Sequence, residues 1–193
     1  MAVALTEAGF RVRKAIHLAG TAVPLFYLAA PGLRDILISF LLAWAAAFFL
    51  FDSLRLSLEG LNSWFTARYG YTLKEQERNG LLGSGLFFFS SGLTVLFFDK
   101  DVAVASLFFL AVGDWAAAVF GRRWGVPRVK GKSLEGFAAC LIVCFALGIA
   151  ILPVHIALRG AVVAALAELL SILIFIDDNL SMPLLAGLAM SLP

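Results

Sequence analysis

Asp114 and Glu168 are carboxylates placed inside long apolar runs, where an acid needs a reason to be. On insertion scales a charge deep in a membrane span costs about 2.5–3.5 kcal/mol. An acid there is expected to face a polar cavity with a cation nearby. Asp114 ends one run, and the cations Arg122, Arg123, Arg128, Lys130 and Lys132 follow it. The plainer alternative is an acid that snorkels to the interface or pairs with Arg122 or Arg123. Gly113, Ala117 and Gly121 recur every four residues beside Asp114, a small-residue face that admits a helix or a ligand. Glu168 lies in a later run that Asp177-Asp178-Asn179 closes. Clustered carboxylates and an amide are hard oxygen ligands suited to Mg²⁺. Asn179 also reads plainly as an N-cap ahead of Pro183.

Gly131-Lys132-Ser133-Leu134-Glu135-Gly136 opens another apolar run. Ser133 is a natural N-cap, and Gly131 frees the backbone just before it. Free N–H groups, the helix dipole and Lys132 would together hold a phosphate. Gly-Lys-Ser also ends a Walker P-loop, but that motif needs a glycine where Val126 stands and a preceding strand, so it is rejected. Arg122 and Arg123 are equally well explained as topology-setting charge. His17 follows Arg13 and Lys14 at helical spacing, which gives it either a phosphate or headgroup role or a structural one. Glu75 and Glu77, beside Lys74 and Arg78, look by themselves like a solvated charge run.

These residues need a membrane scaffold. The 193 residues are 62% hydrophobic and 15% charged, against about 25% charged in soluble domains. Mean hydropathy is +0.96. The expected fold is all-α, a single polytopic membrane helical bundle over 1–193. About seven hydrophobic segments are expected, near 15–30, 34–51, 81–98, 101–120, 134–152, 157–174 and 181–193, the last a short one. In the 52–80 loop, Leu54, Leu58, Leu61, Phe65 and Tyr69 recur at helical spacing with Arg55 on another face, which predicts an interfacial amphipathic helix. The 121–133 loop is basic. The N-terminal tail and these two loops hold 12 of the 15 Lys and Arg residues. By the positive-inside rule this places the N-terminus and both loops in the cytoplasm and the C-terminus outside. Cys140 and Cys144, four apart in one run, read as packing residues. That spacing disfavours a disulfide, and two thiols make a poor zinc site.

Asp114, Lys132, Glu135, Asp177, Asp178, Glu77 and His17 all map to the cytoplasmic ends of spans. Acids, cations and glycines meeting there would form a site for a metal-bound nucleotide beside the lipid. In order, Arg13-Lys14-x-x-His17, Asp52-x-x-Arg55, Glu77 six residues before Gly83, Gly113-Asp114-x-x-Ala117, Gly121-Arg122-x-x-Gly125, Lys132-Ser133-x-Glu135-Gly136, Glu168 and Asp177-Asp178-Asn179-Leu180-x-x-Pro183 resemble the polyprenol kinase family. That family includes dolichol kinase, phytol kinase and the CTP-dependent diacylglycerol kinases. The resemblance implies phosphoryl transfer, usually from CTP, to the hydroxyl of a membrane lipid alcohol. It implies Mg²⁺ on Asp114 with Asp177 or Asp178, phosphates on Lys132 and its helix N-terminus, and Asp114 or Glu168 on the lipid hydroxyl. Two other readings fit the same sequence: a phosphatidate cytidylyltransferase making a CDP-lipid, and a small proton-coupled transporter using Asp114 and Glu168. Nothing in the sequence points to a nucleic-acid partner.

Overall fold

The computed structural model describes residues 6–129, 131–174 and 176–193. Lys130 lies outside the described residues, as does the side chain of Arg128. Helix α1 (Glu7–Ala19) starts at Thr6, whose hydroxyl accepts the Gly9 N–H. It ends at Gly20, and α2 (Ala22–Ala29) follows. The segment expected at 15–30 is thus broken in two. Pro24 has no N–H to return to the Gly20 carbonyl, so one continuous ladder cannot form there.

A 3₁₀ turn at Pro31–Leu33 leads into α3 (Arg34–Ser57). Next come α4 (Glu59–Tyr69), α5 (Glu75–Arg78), α6 (Gly83–Phe97) and α7 (Lys100–Phe108). A π-helical turn at Phe109–Gly113 joins α7 to α8 (Asp114–Trp124). Strands β1 (Pro127–Val129) and β2 (Lys132–Ser133) pair antiparallel, with Gly131 at φ +96° between them. Helices α9 (Leu134–Ile149), α10 (Val154–Ile174) and α11 (Asp178–Ser191) complete the chain. The basic 121–133 loop is therefore partly a hairpin, a small exception to the all-α expectation.

Among the described residues, three stretches are long and apolar enough to cross a bilayer: Pro31–Ser57, Lys100–Trp124 and Val154–Ser171. Gly83–Phe97 and Leu134–Ile149 are shorter apolar helices. About seven spans is more than these lengths support. The interior and exterior are those of a membrane protein. Ser90, Ser91, Thr94 and Ser106 are fully buried, while Phe97 and Ile142 stand 68% and 67% exposed. Water would penalise that surface, whereas lipid tails accept it.

Helix α10 packs on α9 and α11, α3 on α6, and α8 on α9. Small residues set these approaches. A methyl group on Gly113 would stand 2.9 Å from Met182 Cε and 3.3 Å from Cys140 Sγ. One on Gly136 would stand 2.7 Å from the Ala117 carbonyl. The Gly113–Ala117–Gly121 face is accordingly the seam where α8 and the π turn meet α9 and α11. Cys140 and Cys144 are free and buried, with their sulfurs 3.8 Å apart.

The amphipathic helix expected across 52–80 takes a different form. Helix α3 runs on to Ser57, the chain turns at Leu58, and α4 is a separate helix. Trp64 and Tyr69 are exposed, as interfacial anchors would be. Arg55, assigned by spacing to a polar outer face, is instead fully buried with Asp52.

Candidate active site

The π turn delivers Asp114 to the interior. A π turn pairs i with i+5, so it resets the direction in which the next helix presents its side chains. The Leu110 carbonyl, inside that turn, accepts from His17 Nε2 at 3.0 Å. A carbonyl only accepts, so Nε2 carries the imidazole proton. The same nitrogen lies 3.1 Å from Asp114 Oδ2. Lys14 Nζ donates to that oxygen at 2.6 Å. Lys14 and His17 are three apart on α1 and share a face. Asp114 thus pairs across 100 residues with α1, not with Arg122 or Arg123.

Lys132 anchors the other side. Its Nζ lies 2.8 Å from Glu168 Oε1 and 3.3 Å from Asp178 Oδ2, and donates to Ser171 Oγ at 3.0 Å and to the Glu168 carbonyl. Lys74 donates to Asp178 Oδ1 at 3.0 Å and to Asp177 Oδ2 at 3.3 Å. Burial by itself would lower the pKa of either lysine. For Lys132, Asp178 and Glu168 outweigh burial, and for Lys74, Asp178 and Asp177 do, so both stand above the ordinary lysine value. Carboxylate oxygens of Asp114, Glu168 and Asp178, all buried, lie within 4.8 Å of one another. Three acids and three lysines therefore form one cage.

A second layer holds the cage. Arg13 grips Glu77 with both nitrogens, at 2.6 and 2.8 Å. Glu77 also accepts the Lys74 N–H at 2.7 Å, as the return half of a capping box on α5, and the Gly83 N–H at 2.9 Å. Burial would raise the Glu77 pKa, but the Arg13 pair and those two N–H donors hold it below the ordinary carboxylate value. Arg55 donates to Asp52 at 2.7 Å, to Asn62 at 2.9 Å, and to the carbonyls of Glu77, Arg78 and Gly80 at 2.9, 3.2 and 2.5 Å. Asp52 accepts the Leu82 N–H at 2.8 Å. One guanidinium thus ties down the turn that carries Lys74 and Glu77.

The other expected site residues fall around this centre. Asp177, not Asn179, is the N-cap of α11 and accepts from the Asn179 N–H at 2.9 Å and its side-chain amide at 2.6 Å. Ser133 caps α9 through the Gly136 N–H at 3.0 Å. Glu135 accepts the Val126 N–H at 3.3 Å. Arg122 pairs with Glu7 at 2.6 Å and lies over the Phe10 ring. Glu77 is a buried pillar rather than part of a solvated run. Sequence reasoning passed over Lys74 and met the Asp52–Arg55 pair only as part of the family resemblance, without a role. Their signals were the three-residue spacing of Asp52 and Arg55 at a span's end, and the Lys74-x-x-Glu77 box.

A cavity of about 470 Å³ opens onto the cage. Lys14, Lys74, Asp114, Lys132, Glu168 and Asp178 line it, with Gly121, Arg122 and Gly131 on its outer wall. A polar cavity of this size with convergent charges is the expected form of a site for a small anionic substrate.

These features define a membrane helical bundle with a carboxylate–lysine centre at one end. No protein-family model matches the chain, and no solved structure matches it. Over 183 residues it is 29% identical to an uncharacterized protein of Rickettsia prowazekii, covering 89% of this chain and 88% of that one. Over 174 residues it is 29% identical to CTP-dependent diacylglycerol kinase 1 of Saccharomyces cerevisiae, covering 74% of this chain and 59% of the yeast protein. Over 99 residues it is 34% identical to the protein of the same name in Eremothecium gossypii, covering 49% of this chain and 31% of that one. The chain thus spans less than two thirds of the length of either kinase.

Proposed function

We propose that this protein transfers the γ-phosphoryl group of CTP to the hydroxyl of a membrane lipid alcohol, at the cytoplasmic face. The observation that carries the reading is the cage itself, in which Asp114, Glu168 and Asp178 meet Lys14, Lys74 and Lys132 on the wall of one polar cavity. Phosphoryl transfer is catalysed by positioning and charge neutralisation, and this is the equipment it needs. The similarity to kinases named for CTP and diacylglycerol supports nucleotide and acceptor class alike. The acceptor is a polyprenol, a phytol-like prenol or diacylglycerol, all primary alcohols on apolar tails.

The three buried carboxylates fit Mg²⁺. They are hard oxygen ligands of the kind this ion takes, and their atoms lie within 4.8 Å of one another, so Asp114, Glu168 and Asp178 would hold it. Bound there, the ion would neutralise charge on the phosphates. Lys14, Lys74 and Lys132 stand within reach of phosphate oxygens along the same wall, and the α9 N-terminus offers N–H groups beside them. Asp114 or Glu168 orients the lipid hydroxyl and takes its proton. The oxygen–phosphorus bond to the lipid then forms as the γ-phosphorus–oxygen bond of CTP breaks, and CDP leaves.

Labelled CTP tests this on the purified protein in vesicles containing a lipid alcohol. Transfer of γ-label to lipid is the expected result. Transfer of α-label would identify a cytidylyltransferase, and no transfer with any alcohol in the panel would remove the kinase reading.

A further inference from the structure

A second cavity, of about 600 Å³, lies beside the first and is apolar. Ile16, Phe40, Phe48, Phe65, Phe87 and Phe88 supply most of its character, from α1, α3, α4 and α6. Its wall is ordered by ring contacts, with Phe48 stacked on Phe88 at 5.7 Å and His17 edge-on to Phe87 at 6.0 Å. Of its lining residues, Ile16 is 63% and Phe40 54% exposed, and Phe40 lies in a stretch apolar enough to cross a bilayer, so the cavity is open to lipid on that side. The charged and amide part of its lining is Arg13, His17, Glu77 and Asn179. Arg13 lines both cavities. His17 lines the apolar one and touches Asp114, which lines the polar one.

We infer that this cavity is the acceptor subsite, holding one hydrocarbon chain of the lipid alcohol with its hydroxyl end at His17 and Arg13. The inference rests on the kinase reading and adds to it where the acceptor enters and how much of it is enclosed. A hydrocarbon chain can fill an aromatic-walled space that opens to lipid. A nucleotide cannot, because its phosphates would lose hydration with only a small part of the lining to pair them. At roughly 30 Å³ per methylene, about the liquid share of one water, the volume takes about 20 carbons. That is one long chain. In a diacylglycerol the second chain stays in the bilayer, outside the side where Ile16 and Phe40 are exposed. The hydroxyl then reaches the His17–Asp114 contact from the lipid side while the nucleotide approaches from the polar side.

The test uses dioleoylglycerol carrying a photoactivatable diazirine in one acyl chain, with the full protein in phosphatidylcholine vesicles. Crosslinks are mapped by mass spectrometry and need no turnover. They should concentrate on α1, α3 and α6 around Phe40 and Phe88. Ala19→Trp, which fills the cavity from α1, should weaken the crosslink and raise KM for dioleoylglycerol about tenfold. KM for CTP should stay unchanged. Crosslinks spread over outward residues such as Ile142, or an unaltered lipid KM in Ala19→Trp and in a second filling variant, Val23→Phe, would overturn the subsite. Cavity crosslinks without γ-phosphate transfer to any alcohol in the panel would leave the cavity a lipid-chain site and remove the kinase reading, so the two failures are distinct.

Discussion

At the scale of single residues, the cage makes each charge depend on its partners. Asp114 is buried at 2.6 Å from Lys14, so removing its charge strands a lysine as well as a reacting carboxylate. Asp114→Asn should lower transfer by at least about a hundredfold, the lower bound for loss of a proton-transferring group. Thermal unfolding in detergent should show a loss of stability and not a gain, because Lys14 loses its ion partner. Full activity in Asp114→Asn would remove this residue from the mechanism. Lys132 answers to a kinetic contrast. Losing a charged hydrogen-bond partner costs about 1.5–3 kcal/mol, so Lys132→Ala should lower kcat/KM for CTP about tenfold to a hundredfold. Lys132→Arg should recover part of that. Arg122→Ala should be mild, since Arg122 sits on the outer wall against Glu7 and Phe10. Equal effects at both positions would mean that bulk loop charge is what matters.

Between residue and molecule, the 70–82 turn is the element that decides whether the cage closes. Arg55 holds it through three backbone carbonyls, and Arg13 through Glu77. Arg55→Met should destabilise the protein by about 3–5 kcal/mol, because Asp52 is left as a buried unpaired charge. It should also open the turn to limited proteolysis. Glu77 adds a pH dependence of known sign. Its folded pKa lies below the ordinary 4.5. Its contribution to stability is therefore present above that pH and is lost as the pH falls through the folded value. The gap in thermal stability between wild type and Glu77→Gln should be open at neutral pH and should close as the pH falls below the ordinary carboxylate value. A gap independent of pH would show that Glu77 acts through packing alone. This element was the least legible from sequence. Periodicity correctly separates apolar from polar faces, but it cannot say whether a polar face meets water or another loop. Arg55 and Glu77 meet backbone and Arg13, contacts up to 64 residues away in sequence.

For the whole molecule, the helical membrane character and the two intramembrane acids Asp114 and Glu168 were legible because lipid makes intramembrane charge conspicuous. The break between α1 and α2 and the π turn were not, since both are changes in backbone hydrogen bonding inside runs that stay apolar. The structure also gives the charge count a shape. Lys14, Lys74 and Lys132 all gather at the cage. At the other end of α3 and α10, Arg34 donates to the Val95 and Leu96 carbonyls and Arg159 to those of Leu192 and Pro193. Those two arginines satisfy carbonyls at the ends of α6 and α11, whereas Lys14, Lys74 and Lys132 frame the site. In the orientation we propose from the positive-inside rule, the site faces the cytoplasm, where CTP is found. Single cysteines in a Cys140→Ala, Cys144→Ala background test this. Tyr71→Cys and Val126→Cys, both at exposed positions, should be shielded from an impermeant thiol reagent in intact cells and labelled after permeabilisation. Gly32→Cys, in open space, and His155→Cys, also exposed, should be labelled without permeabilisation. The reverse pattern would put the cage on the side away from cytoplasmic nucleotide, and the CTP-dependent reading would fall with the orientation.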